Sequence, residues 1–188
     1  MSRRWRADEK TATKTLPKTN QLCWRGDALP ALLTTTAVAD PHPRREVTVL
    51  TVNNGQEVLV DLQGEGRAVR LACIQAPLAE QKPWAERATA QLRRSLQPGS
   101  IVALELRARD VYGRVVARLI NNGADVAAPL LRQGAVFAYD GYLGQCNDLD
   151  YDRFESTAKT AQLGIWSVPG GIKRPWNLIE ASGGRLAP

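Results

Sequence analysis

The stretch Val69-Arg70-Leu71-Ala72-Cys73-Ile74-Gln75-Ala76-Pro77-Leu78 is the part of the sequence that decides the fold. Apolar residues at 69, 71 and 73 alternate with Arg70 and Ala72, which is the two-residue period of a half-buried strand. Pro77 cannot donate a ladder hydrogen bond and favours an extended residue before it, so it ends the strand. An arginine on the outer face of such a strand, close to a loop, suits an anionic ligand, although ordinary solvated strand arginines look the same.

Four more motifs flank this strand in a fixed order along the chain. They are Asn54-Gly55-Gln56-Glu57, Asp110-Val111-Tyr112-Gly113-Arg114, Leu131-Arg132-Gln133-Gly134 and Gly164-Ile165-Trp166. With the strand, they resemble the staphylococcal nuclease (thermonuclease) family, whose core carries D-G-D-T, R-L-x-x-I-D-A/T-P-E, D-x-Y-G-R, V-x-x-G and G-x-W. The resemblance covers roughly residues 46–170.

The hydrophobic patterns agree with the fold that this resemblance implies. Alternation predicts five strands, over 46–52, 56–62, 67–74, 101–107 and 112–120. In the fourth strand, Val102, Leu104 and Leu106 are predicted to point inward. Helices are predicted over 83–96, 126–133 and 150–163, each ending near a glycine or proline. The prediction is an α+β protein: a five-stranded Greek-key barrel of the oligonucleotide/oligosaccharide-binding (OB) type with about three helices.

The resemblance implies a phosphate site built on two arginines. The family clamps phosphate with the arginine of R-L-x-x-I and that of D-x-Y-G-R, and these positions are Arg70 and Arg114 here. Tyr112 and Tyr139, with Tyr142, are candidates for base stacking, and Arg118 is a further candidate for nucleic-acid binding.

The acidic half of the family site has changed. The family's calcium ligands are the second acidic residue of D-G-D-T and the aspartate of I-D-A/T-P, and these positions are Gln56 and Gln75. The family's candidate general base is Leu78 here, and leucine cannot take a proton. Hence no metal or other cofactor is expected.

Two carboxylates are possible substitutes for the missing ones. Glu57 follows the first ligand position, and Glu80 lies two residues beyond the base position. Calcium is expected only if these residues rebuild the site. The ordinary role for Glu57 would be an ion pair with Arg70.

Positive charge is concentrated at the N-terminus. Residues 1–45 contain nine Lys or Arg and four Asp or Glu, a net charge of +5 out of the chain's +6. We predict that this segment is a mostly disordered basic tail, followed by a nuclease-like domain over 46–170 and an extension over 171–188. The expected partner is either nucleic acid or an acidic protein. The nucleic acid could be DNA or RNA and is most simply single-stranded. The sequence contains no apolar run long enough to predict a membrane span.

The cysteines and the single histidine further limit the possible chemistry. Three cysteines, at 23, 73 and 146, lack the spacing of a zinc site. A Cys73–Cys146 bond is conceivable, but free thiols and a cytoplasmic location are favoured. A mildly apolar segment ending in Ala37-Val38-Ala39 leaves secretion open. The single histidine, His42, lies in the tail, which excludes histidine-based catalysis from the folded part.

Three functions remain open from sequence. The first is a nuclease-fold protein that binds nucleic acid and is catalytically weak or inactive. The second is an active metal-dependent phosphodiesterase with substituted carboxylates. The third is a protein-interaction scaffold, which the net charge of +1 outside the tail favours over the first.

Overall fold

The computed structural model describes residues 42–139 and 146–184. Its strands are β1 (Arg44–Asn54), β2 (Glu57–Leu62), β3 (Glu65–Leu71), β4 (Ile74–Gln75), β5 (Ile101–Arg109), β6 (Val115–Asn121), β7 (Ala124–Asp125) and β8 (Phe137–Ala138). Its helices are α1 (Trp84–Ser95), α2 (Ala127–Arg132), α3 (Tyr151–Thr160) and α4 (Pro175–Ala181), with a 3-10 turn at Gly164–Trp166.

Five of these strands close into a barrel. Antiparallel pairing joins them in the order β3-β2-β1-β5-β6, and a parallel pairing of β3 with β6 closes the ring. The two-residue strand β7 extends the edge at β6, while β4 and β8 pair with each other. This is a closed mixed barrel with helices, so the prediction of an α+β fold of the OB type is confirmed.

The barrel core is formed by the apolar residues that the alternation assigned to the interior. Val58 and Val60 on β2 are fully buried, as are Leu92 and Leu96 of the α1 segment. Burying side chains of this size stabilises the fold by about 1.5–3 kcal/mol each. α1 lies across β1, and α2 packs on α3.

A second hydrophobic cluster packs against the C-terminal segment. Phe137 and Trp166 pack edge to face, with ring centroids 5.3 Å apart. The guanidinium of Arg174 lies over both rings and over Trp176, and it pairs with the buried Glu155 at 3.3 Å. These contacts hold the start of the C-terminal extension against β8 and α3.

The inward direction predicted for Leu106 is wrong. Leu106 is exposed, whereas its neighbour Glu105 is buried. The carboxylate of Glu105 is held by three arginines, Arg44, Arg107 and Arg118. A buried carboxylate needs such partners, so the cluster accounts for the burial of Glu105. Leu104 on the opposite face is buried as well, so both faces of β5 are covered just before Leu106.

The preference for free thiols is also wrong. Cys73 and Cys146 form a disulfide with a Cα–Cα distance of 5.8 Å, and 73 positions of sequence separate them. The bond joins the end of β3 to the segment before α3. Spacing rules for close cysteine pairs gave no signal for it, because the two residues meet only in the folded chain.

Several predictions fall on residues outside the described ranges. These are the basic tail as far as residue 41, the Ala37-Val38-Ala39 segment, Tyr142 and residues 185–188. None of the helices within residues 42–139 and 146–184 is long and apolar enough to cross a membrane.

Candidate phosphate-binding site

The closure of the barrel brings the two predicted arginines together. β3 and β6 pair in parallel, with Arg70 opposite Val116 and Val69 opposite Val115. Arg114 directly precedes β6, so it lies beside Arg70 at the same edge. The positive charge of Arg114 influences the ionisation of Arg70, as expected for neighbouring guanidinium groups.

The turn before β6 is organised by Asp110. Its Oδ1 accepts backbone hydrogen bonds from Tyr112 at 3.0 Å and Arg114 at 2.9 Å, and its Oδ2 accepts from Arg114 Nε at 2.6 Å. Gly113 has a φ of +76°, a conformation that glycine adopts without steric cost. Asp110 therefore fixes both the turn and the guanidinium of Arg114.

Burial acts to raise the pKa of Asp110, but the hydrogen bonds and positive charge of Arg114 outweigh it. The pKa of the Asp110 carboxyl is consequently held below its usual value.

Glu57 supplies a second carboxylate to Arg114. Its Oε2 lies 3.4 Å from Arg114 Nη1, and its Oε1 accepts from Asn53 at 2.8 Å. Glu57 is also opposite Arg70 in the β2–β3 register, but its direct ion pair is with Arg114 rather than with Arg70 as expected. Within the described ranges, two carboxylates thus neutralise Arg114, while none is bound directly to Arg70.

Arg70 is buried and holds Gln75. It is 4% exposed, and its Nη2 donates to Gln75 Oε1 at 2.5 Å. Its Nε is buried and has no hydrogen-bond partner among the described residues, and the same is true of Gln75 Nε2. Desolvation by burial and the neighbouring charge of Arg114 together lower the pKa of Arg70.

The turn between β1 and β2 positions Gln56. Gln56 Oε1 accepts from the backbone N–H of Ala76 at 2.8 Å, and its own N–H donates to Asn54 Oδ1 at 2.9 Å. A Cβ at Gly55 would lie 2.7 Å from the Cβ of Ala88, so only glycine lets this turn approach α1 so closely. The turn is therefore rigid, but it presents amides where the family presents carboxylates.

A calcium ion does not fit these residues. The amide oxygens of Gln56 and Gln75 are both occupied by hydrogen-bond donors, and one of those donors is the cationic Arg70. The carboxylates of Glu57 and Asp110 both accept from Arg114. Within the described part of the chain, no group of three or more His, Cys, Asp or Glu is placed to hold a metal. Calcium prefers six to eight oxygen ligands, and this arrangement does not supply them.

Leu78, which stands at the family's general-base position, lines an apolar cleft. Leu78 is 4% exposed and contributes, with Gln56, to a cleft of about 510 Å³ between the β1–β2 turn and α1. An ion pair of Lys82 and Glu86, at 3.2 Å, lies along the same cleft. Glu80 is exposed and is not part of this lining. The structure gives Glu57, rather than Glu80, a place beside the arginines.

The remaining residues predicted for nucleic-acid binding are distributed unequally. Tyr112 is 74% exposed, and the guanidinium of Arg114 lies 5.3 Å from its ring centre. Tyr139 is half-buried and close enough to Arg70 to influence its pKa. Arg118 is instead bound to Asp125 at 2.6 Å and lines a different cleft, beside α2 and α3. The structure thus groups the two tyrosines with the arginine pair and leaves Arg118 apart.

Sequence reasoning missed Trp176. Its ring lies 4.9 Å from that of Tyr139, so a residue of the C-terminal extension reaches the edge of the site. Nothing in the local pattern around 176 predicts this contact. The organising role of Asp110 could have been predicted, because an aspartate at the start of a turn commonly accepts from the backbone two residues on.

A family model described as "Staphylococcal nuclease homologue" matches residues 68–168, which is more than half of the chain. No protein of the curated set matches the chain.

Proposed function

Because this chain belongs to the staphylococcal nuclease homologue family, we propose that it binds nucleic acid through phosphate contacts from Arg70 and Arg114 and hydrolyses it weakly or not at all. The family relationship supports a nucleic-acid ligand, and the departures of this chain from the family's acidic positions support the loss of activity. Single strands are the proposed form of the ligand, because barrels of this type hold them with basic and aromatic side chains.

The observation that carries the proposal is the imbalance between donors and carboxylates at the site. Among residues 42–139 and 146–184, no carboxylate is bound directly to Arg70, and one of its N–H groups is unpaired. A phosphate oxygen would satisfy that group and balance its charge. Tyr112 extends from the neighbouring turn with most of its ring exposed, which supports a stacking contact next to the phosphate.

Magnitudes argue against efficient hydrolysis. Loss of a general base costs about 10²–10⁴ in rate. Loss of a Lewis-acid metal removes several kcal/mol more, at about tenfold per 1.36 kcal/mol. Two arginines stabilise phosphate charge, but they neither activate a water molecule nor replace both groups.

A rebuilt phosphodiesterase is the second candidate, and the position of Glu57 favours it. Glu57 is a carboxylate beside the arginine pair that is not used to build the turn before β6, as Asp110 is, and such a carboxylate could act as a base. Its engagement with Asn53 and Arg114 argues that it is structural instead. The variant Glu57→Gln distinguishes the two roles, because it removes a base but leaves hydrogen-bonding atoms in place.

The proposal is tested by binding of a fluorescent single-stranded oligonucleotide to the full-length chain. We expect Arg114→Gln to weaken binding by about 10-fold or more, as for the loss of a charged hydrogen bond. Arg153→Gln is the matched control, since Arg153 is an exposed arginine on α3. Equal binding by both variants and the unchanged chain would mean that the barrel site does not hold the ligand.

A further inference from the structure

The two unpaired donors next to the arginine pair form one buried group. Arg70 Nε and Gln75 Nε2 are both buried and lack partners among the described residues, and their side chains are joined by the hydrogen bond from Arg70 Nη2 to Gln75 Oε1. Gln75 is 3% exposed. Leaving a buried donor unpaired destabilises a protein, so such groups ordinarily have an acceptor.

The orientation of the Gln75 amide follows from chemistry. A guanidinium has only donors, so the amide atom facing Arg70 must be the oxygen. The amide nitrogen is therefore directed elsewhere, with its hydrogens unsatisfied. Gln75 thus uses its acceptor on Arg70 and retains its donor for a ligand.

The charge around this donor pair favours an anion over a cation. Arg70 and Arg114 are neighbours, and the nearby carboxylates Glu57 and Asp110 both bind Arg114. Burial and the charge of Arg114 lower the pKa of Arg70, although Asp110 and Glu57 act to raise it. An oxyanion would accept from both unpaired donors and supply the missing charge. A cation would instead lie against N–H donors and a positively charged guanidinium, which repel it.

We propose that Arg70 and Gln75 form a metal-independent phosphate subsite, in which the Gln75 amide donates to a phosphate oxygen. Gln75 occupies the position of a calcium-binding aspartate in the family, so its role here is reversed from cation ligand to anion donor. The subsite rests on the proposed function, because its phosphate belongs to the nucleic acid that Arg114 also contacts. A free phosphate ion has the same chemistry and is distinguished by the test.

The test measures binding of two probes to the full-length chain, in EDTA and then with calcium. Inorganic phosphate is followed by the rise in melting temperature at constant ionic strength. A labelled oligothymidine of about ten nucleotides is followed by fluorescence anisotropy. We expect both to bind equally well with and without calcium. If the chain binds the oligonucleotide but not free phosphate, the ligand of the subsite is a phosphodiester. This result supports the subsite if Gln75→Glu also removes the binding.

Gln75→Glu removes the amide donor and places a negative charge beside Arg70. We expect it to weaken binding of the responding probe by about 10- to 100-fold. Gln97→Glu is the matched control, because it adds the same charge at an exposed position at the end of the α1 segment. If Gln75→Glu does not fold, Gln75→Met removes the donor without adding charge, and the same loss is expected.

Two outcomes would overturn the subsite. One is unchanged binding by the folded Gln75 variants, and the other is phosphate binding that requires calcium. If Arg114→Gln weakens oligonucleotide binding while Gln75→Glu does not, the proposed function stands and the subsite is wrong. If neither variant affects it, both the proposed function and the subsite fail.

Discussion

Arg70 donates from Nη2 to Oε1 of Gln75 at 2.5 Å, and both side chains are buried. An aspartate at this position would pair with Arg70 and could still share its charge with a metal. A neutral glutamine has a single oxygen, and Arg70 occupies it. This one contact leaves the Gln75 oxygen bound to a cation-bearing side chain rather than free for calcium.

Restoring the family's acidic residues should restore metal binding. The natural chain should show no calcium site tighter than about 10⁻³ M, the range of weak extracellular modules. Gln56→Asp with Gln75→Asp and Leu78→Glu should bind calcium measurably by calorimetry, since Arg70 and Arg114 remain in place, and should regain some cleavage.

The third change, Leu78→Glu, should lower the stability of the fold. Leu78 is buried, and an unpaired carboxylate at this position should lower the free energy of unfolding by a few kcal/mol when calcium is absent. Added calcium should recover part of that loss. A triple variant that neither binds calcium nor responds to it would mean that the site lacks more than these carboxylates.

Asp110 should stabilise the turn at neutral pH and lose that effect in acid. Its folded pKa is depressed, so its contribution is present above the usual carboxyl pKa of about 3.9 and is lost as the pH falls through the folded value. Asp110→Asn should lower the free energy of unfolding by about 1–3 kcal/mol at pH 7. Urea unfolding at pH 7 and at progressively lower pH measures this, and the gap between variant and natural chain should shrink in acid. A constant gap would show that the carboxylate charge is unimportant.

The disulfide should contribute substantially to stability. Cross-linking residues 73 positions apart is expected to stabilise the fold by roughly 4 kcal/mol through the unfolded chain. Reduction should therefore lower the urea midpoint clearly. In a Cys23→Ser background, thiol titration of the denatured, unreduced protein should find no free thiol, and two free thiols would contradict the bond.

The same bond bears on where the protein works. Disulfides persist in oxidising compartments and are rare in the cytoplasm. We therefore expect the protein to be exported, and fractionation of its natural source into cytoplasmic and exported protein tests this directly.

The N-terminal segment should supply most of the salt dependence of binding. Residues 1–45 carry a net charge of +5, whereas the rest of the chain carries +1. Removal of residues 1–40, which ends before β1 and takes away a net charge of +3, should flatten the plot of log K against log salt. The remaining slope should be about −0.7 for each phosphate held by the barrel on single strands. An unchanged slope would locate the basic surface on the barrel instead.

The sequence predicted the fold well, because alternation is a local signal. Val58 and Val60 could be assigned to the core from their spacing alone. Leu106 was misassigned because it is exposed although Leu104, on the same face of the strand, is buried, and local alternation does not show where a strand leaves the core. The disulfide and the Tyr139–Trp176 contact escaped prediction because each joins segments that are distant in sequence.

The sequence motifs singled out the residues that the barrel brings together, but not how their side chains pair. The motifs identified Arg70, Arg114, Gln75 and Leu78 as the positions of interest. Whether Glu57 would bind one arginine or the other depends on side-chain geometry across three strands, and the structure pairs it with Arg114. The unpaired donors of Arg70 and Gln75 likewise emerge only when every neighbouring acceptor is known.

The most direct test of the account compares binding and cleavage in one experiment. The full-length chain is mixed with a labelled single-stranded oligonucleotide, in EDTA and in excess calcium, and both affinity and products are measured. The account predicts the same affinity in both conditions and an intact oligonucleotide. Calcium-dependent cleavage that is abolished by Glu57→Gln or Glu80→Gln would contradict it and establish a rebuilt nuclease.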